Sequence, residues 1–147
     1  MTGEGKRPNA LRIWVRAFRP FAYPASLLPI LVGTFAVTPF PAVRWGLLTM
    51  VLLAVFLMHS GGNLLNEYFD YKSGVDLKVH PEAGRFWGAL PSGFLRPVQV
   101  LIAAFVCLTL SGILGLIIVM TTGIWSLLLG IIGAVGLYAY TGPPFQL

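Results

Sequence analysis

The chain has 147 residues, of which 56% are hydrophobic and only 10% charged, and its mean hydropathy is +0.80. That balance excludes a water-soluble globular domain, which could not cover so much apolar surface, and places the chain among integral membrane proteins. The formal net charge is +5, and the single cysteine, Cys107, lies in an apolar run, so no disulfide can form within the chain and no oxidising compartment is implied.

A basic leader with Lys6, Arg7, Arg12, Arg16 and Arg19 precedes the first charge-free window, residues 20–43. A spanning helix needs about 20 such residues. Pro20, Pro24 and Pro29 interrupt the window and further spans follow it, which argues against a cleaved signal peptide. The same prolines predict a first helix that is kinked or starts late, with neighbouring helices supplying partners for the backbone groups set free. The second window, residues 45–66, follows the isolated Arg44.

The third charge-free stretch, 97–147, is too long for one helix. It divides at "MTTG", Met120 to Gly123, into spans near 98–120 and 124–140, the last of them short for a full crossing. Gly130, Gly133 and Gly136 recur every three residues in that last span and predict a smooth strip for close helix packing. The expected architecture is therefore an all-α membrane protein with four transmembrane helices, with no internal repeat and no soluble domain. Nine of the ten basic residues fall on one side of these spans, which places both termini in the cytoplasm and the chain in the cytoplasmic membrane.

The segment from 67 to 97 departs from this apolar pattern. It holds four of the five acids, Glu67, Asp70, Asp76 and Glu82, beside Lys72, Lys78, Arg85, Arg96 and His80. Three of those acids crowd into the stretch "NLLNEYFDYKSGVD", residues 63–76, an arrangement that is repulsive unless something positive sits there. If the second helix continues a turn or two past Asn66, then Asn63, Asn66, Glu67 and Asp70 fall at i, i+3, i+4 and i+7 and share one stripe. Gly74 then permits a turn that brings Asp76 back toward it. Such oxygen ligands suit Mg²⁺ held partly by a substrate diphosphate.

The same residues also suit a plainer role. Asn, Asp and Gly commonly end helices, and charges at a membrane edge are often merely solvated. Lys78 and Arg85 could reach a diphosphate oxygen or simply anchor the chain at the interface, and for Lys72 the anchor reading is the better one. His80 has no ligand set around it. Tyr68, Phe69 and Tyr71 suit packing beside the site or an interfacial belt.

The stretch resembles the first aspartate-rich motif of the intramembrane aromatic prenyltransferases, the UbiA superfamily. Asn66 and Asp70 match that motif, Glu67 stands where an Asp is usual, and the last carboxylate arrives at Asp76 with Gly74 at the commoner place. The later spacing, with Asn63 and the tyrosines, is similar to the branch that prenylates 1,4-dihydroxy-2-naphthoate for menaquinone. "AFRPFAYPASLLPILVG", "LPSGFLRPVQVL" and "YAYTGPPFQL" also resemble family segments, so the likeness runs along nearly the whole chain.

The resemblance implies the N-terminal part of a nine-helix bundle in which two acidic motifs face each other at a cytoplasmic mouth. It implies Mg²⁺ as cofactor, a polyprenyl diphosphate and an aromatic acceptor as substrates, and no nucleic-acid partner. Asn66, Asp70 and Asp76 take the catalytic role, joined by Glu67 as metal ligands, while Asn63, Lys78 and Arg85 bind substrate. The chain stops at Leu147, about where a fifth helix would begin, and no acid follows Glu82. The expectation is then little or no transferase activity alone, as for a fragment, a truncated product or half of a split enzyme completed by a second chain. Another class of reading, a non-catalytic four-helix membrane protein that binds a lipid or partner, stands as the alternative. A transporter half using the acids as a cation site is disfavoured by the nine-to-one basic asymmetry.

Overall fold

The structure, a computed structural model, describes residues 9–74 and 89–142. All regular structure among the described residues is helical: α1 (Ala10–Phe18), α2 (Tyr23–Val37), α3 (Trp45–Ser73), α4 (Pro97–Thr122) and α5 (Ile124–Thr141). Four helical stretches are long and apolar enough to cross a membrane, α1 running into α2 as one of them.

Helix formation begins earlier than the charge-free window, at Ala10, where Asn9 caps α1 by accepting a hydrogen bond from the Leu11 amide. Ile13 and Ala17, four residues apart, are buried, while Arg12 and Arg16 remain exposed. The stretch of the basic leader from Ala10 to Phe18 is thus an amphipathic helix with its apolar side docked in the core, a feature the lack of a charge-free run had concealed.

The break expected from the prolines falls at Arg19, which adopts a left-handed conformation (φ 54°, ψ 59°) directly before Pro20. For a residue with a Cβ this costs roughly 1–2 kcal/mol, so surrounding contacts must impose it. A short 3₁₀ turn, Pro20–Ala22, then leads into α2, where Pro29 lacks the amide that would bond to Ala25. Beyond α2, Phe35, Phe40 and Trp45 pack their rings together, with centroids 5.2–6.2 Å apart, and close the link to α3.

Helix α3 is the hub. One third of its most apolar window is buried, against 6% for each of the other three spans. It runs antiparallel to α4: the hydroxyl of Ser111 donates to the Ala54 carbonyl at 2.7 Å, and further along Gly61 faces Leu108 and Ala104. A buried cluster at the acid-bearing end joins Ile13 and Ala17 of α1, Leu64 of α3, Ala89 and Leu90 of the turn before α4, and Val100 and Ala104 of α4. The outer sides of α4 and α5 present large apolar residues such as Ile102, Phe105, Leu116, Trp125, Leu129 and Val135, as expected of helices whose solvent is lipid.

Close helix approach occurs at Gly61 and Gly62 rather than along the Gly130, Gly133 and Gly136 strip. A Cβ at Gly61 would lie 2.7 Å from the Leu108 Cγ and 3.1 Å from the Ala104 carbonyl oxygen, and one at Gly62 would lie 2.4 Å from Leu137. Gly130 and Gly136 have open space around them, and Gly133 meets only Met58, at 3.7 Å. The small residues in close contact therefore lie on the hub, because among the described helices α3 packs against each of the other four. Accordingly, Gly61→Ala should be less stable than Gly130→Ala by about 1–3 kcal/mol, the usual cost of overpacking. Thermal unfolding of the two variants in one detergent measures the difference, since both gain the same helix propensity.

Candidate functional site

α3 passes Asn66 by two turns and ends at Gly74, whose left-handed conformation (φ +72°) provides the stop and whose amide donates to the Tyr71 carbonyl at 3.2 Å. The helical continuation puts Asn63, Asn66, Glu67 and Asp70 along one stripe. His59 lies on it too, since 59, 63, 66 and 70 follow the i, i+4, i+7, i+11 spacing of one helix side. The stripe runs from the end of the bundle into its apolar middle.

Each member has a distinct environment. The Asn63 side-chain amide donates to the Phe18 carbonyl at 2.9 Å. α1 ends there, so this carbonyl belongs to the group that a helix terminus leaves without intrahelical partners. Asn66 donates to a carboxylate oxygen of Asp70 at 2.6 Å across one turn, and both side chains are half-buried. Glu67 is only 8% exposed, and one of its carboxylate oxygens accepts hydrogen bonds from the amides of Ala89 and Leu90, the second at 3.0 Å. The ring of Tyr68 packs edge-on against Phe69 at 5.5 Å and carries the Lys72 ammonium 5.9 Å above its centroid. Tyr71 and Lys72 are exposed. Asp76, Lys78 and Arg85, with His80 and Glu82, lie outside the described residues.

Deeper in the bundle, α2 and α3 are joined by polar side chains. Ser26 Oγ and the His59 Nδ1 share a hydrogen bond of 2.6 Å, and the Tyr23 hydroxyl and Ser60 Oγ another of 2.9 Å. Tyr23 also packs against Phe56 and stands edge-on to His59. The His59 Nε2 is buried without a hydrogen-bond partner. His59 stands outside the site residues expected from the sequence. The signal was present, because an ionisable side chain inside a span is a functional candidate by default and this one keeps the spacing of the acids.

Among the described residues, no three His, Cys, Asp or Glu side chains converge as a metal site. Asn66 and Asp70 nevertheless offer hard oxygen donors one turn apart at the helix end, which fits Mg²⁺, an ion usually held by one or two carboxylates with substrate phosphates and water completing its shell. A shallow apolar depression of about 350 Å³ on the outer side of α4, lined by Ile102, Phe105, Val106, Thr109 and Leu110, lies on a different helix from this stripe.

Comparison with known proteins gives a consistent result. The model of the UbiA prenyltransferase family matches residues 26–146. A 1,4-dihydroxy-2-naphthoate octaprenyltransferase of Bacillus subtilis is 30% identical over 88% of this chain and 40% of its own length. The protein of the same description from Mycobacterium tuberculosis is 31% identical over 88% of this chain and 43% of its own length. A 2-carboxy-1,4-naphthoquinone phytyltransferase of Synechocystis is 30% identical, with 95% of this chain and 44% of the relative covered. The chain thus spans about two fifths of the length of these relatives. No solved structure gives a significant match.

The Asn63 geometry has a direct consequence for stability. Asn63→Ala removes the donor that serves the Phe18 carbonyl and should lower stability by about 1–3 kcal/mol, the penalty for leaving a buried polar group unsatisfied. Thermal unfolding in detergent, followed by circular dichroism, reports the loss.

Proposed function

As the chain belongs to the UbiA prenyltransferase family, we propose that it supplies one half of the diphosphate grip of a transferase that moves a polyprenyl group from an allylic diphosphate to 1,4-dihydroxy-2-naphthoate. The observation that carries this reading is the Asn66–Asp70 pair, two oxygen-bearing side chains one turn apart at the end of the most buried helix. The acceptor is proposed from the names of the relatives from Bacillus subtilis and Mycobacterium tuberculosis.

Asn66, Asp70 and Asp76 hold the metal in this reading, and Lys78 and Arg85 reach the diphosphate oxygens. Held by these residues, Mg²⁺ would supply positive charge to stabilise the pyrophosphate that leaves with the electron pair of the broken allylic C–O bond. Asn66 orients the Asp70 carboxylate by donating to one of its oxygens, so that the second oxygen's direction is set before substrate arrives. The apolar sides of α3 and α4 exclude water from the allylic cation until an electron-rich ring carbon of the acceptor attacks it, after which the ring regains aromaticity by releasing the group that carbon carried, as a proton or carbon dioxide. Asn63 belongs at the inner edge of this site, where its bond to Phe18 keeps α1 against α3.

Transfer further requires a second acidic cluster, which the family resemblance assigns to further helices. The grip faces the cytoplasm in this proposal, following the basic asymmetry of the sequence. Reconstituted in lipid nanodiscs, the chain should bind inorganic pyrophosphate only when Mg²⁺ is present, and Asp70→Ala should weaken that binding at least tenfold, roughly the loss of one charge-assisted ligand. Calorimetric titration measures both. Pyrophosphate binding that is indifferent to Mg²⁺ or to Asp70 would overturn the reading. Coexpressed with the remaining helices of the Bacillus subtilis relative, the chain should support Mg²⁺-dependent prenylation of dihydroxynaphthoate that Asp70→Ala abolishes.

A further inference from the structure

Glu67 sits in the middle of the acidic stripe, yet its surroundings differ from those of its neighbours. Asn66 and Asp70 are half-buried and bonded to each other, whereas Glu67 is 8% exposed and turned into the protein. Both of its amide donors come from adjacent residues, Ala89 and Leu90, and both point at the same carboxylate oxygen. Successive backbone amides directed at one point form an anion-binding concavity, here filled by a carboxylate of the chain itself.

The dipeptide is fixed from its other side as well. The Ala89 carbonyl accepts from the amides of Phe94 (3.1 Å) and Leu95 (3.2 Å), and the Leu90 carbonyl accepts from Gly93 (2.9 Å). Gly93, at φ +68°, permits this tight closure. Ala89 and Leu90 are 4% and 3% exposed and share the buried cluster with Leu64 and Val100. Six residues after Leu90 the chain enters α4 through Arg96, whose amide donates to the Gln99 side chain, with Pro97 at the first helical position.

We propose that Glu67 is a positioning residue: it clamps the turn 89–95, and with it the start of α4, to α3 beside Asn66 and Asp70, and it is not a ligand of the metal. The resemblance would count Glu67 among the ligands, so the two roles compete for one side chain. The part concerning the clamp stands on the amide bonds alone, while the part concerning the metal rests on the function proposed above. Along α3, Glu67 points about 100° from Asn66 and about 60° from Asp70. Seating it in the turn therefore fixes the rotation of the helix end that presents that pair.

Two conservative substitutions separate the roles. Glu67→Gln keeps the reach and an acceptor oxygen and loses the charge; Glu67→Asp keeps the charge and shortens the reach by one C–C bond, about 1.5 Å. In nanodiscs, hydrogen exchange at the Ala89 and Leu90 amides should stay within about threefold of the parent in Glu67→Gln and rise about tenfold or more in Glu67→Asp and Glu67→Ala. Affinity for pyrophosphate with Mg²⁺ should remain within about threefold in Glu67→Gln while Asp70→Asn loses tenfold or more. Circular dichroism of each variant checks that the helices are retained.

Exchange in Glu67→Gln as fast as in Glu67→Ala would overturn the clamp. A Glu67→Asp variant that keeps the metal affinity while Glu67→Gln loses it would overturn the statement that Glu67 is not a ligand. Should the parent bind no pyrophosphate with Mg²⁺, the proposed function fails, and the exchange measurement still decides the role of Glu67.

Discussion

A polar group carried into a bilayer finds no water, so it must find a partner inside the protein or impose a cost of several kcal/mol. In this chain α3 supplies those partners. Its Asn63 serves the carbonyl that the end of α1 leaves open, its Ala54 carbonyl receives Ser111 from α4, and its His59 and Ser60 pair with Ser26 and Tyr23 from α2. Lipid offers no hydrophobic drive to bring apolar helices together. These bonds, with the close approach at Gly61 and Gly62, hold the other helices to the hub.

The functional site uses the same rule at the end of the hub. Where α3 leaves the apolar zone, its polar stripe no longer has to be satisfied wholly by protein. Asn66 and Asp70 remain half-buried and bonded to one another, one turn apart at the helix end. Glu67, on the adjoining side of the helix, faces inward and behaves as a buried carboxylate must, collecting backbone donors. A difference of about 60–100° in direction around the helix thus separates groups suited to ligand from one suited to structure.

Much of the architecture was legible in the chain. Charge-free runs marked four helical spans, because about 20 uncharged residues have few uses other than crossing a membrane. The stripe of Asn63, Asn66, Glu67 and Asp70 was legible as well, since helical spacing alone places them together once α3 continues to Ser73. Less was visible at the start of the chain: Arg12, Arg16 and Arg19 broke the apolar run, although Ile13 and Ala17 carry the docked side of α1. The glycine repeat of the last span meets little among the described residues, because a smooth strip permits contact without specifying that a neighbour is there.

By itself, then, the sequence determined the membrane class and the helices, which follow from composition and short-range spacing, and pointed to the family through the resemblance of its motifs. Only the tertiary structure decided what each polar side chain does. That Asn63 caps α1, that Glu67 holds Ala89 and Leu90 from 22 and 23 residues away, and that His59 meets Ser26 all depend on which helices lie side by side. Periodicity places side chains around one helix, but the partner across the interface is chosen by packing, which no spacing within a single segment encodes.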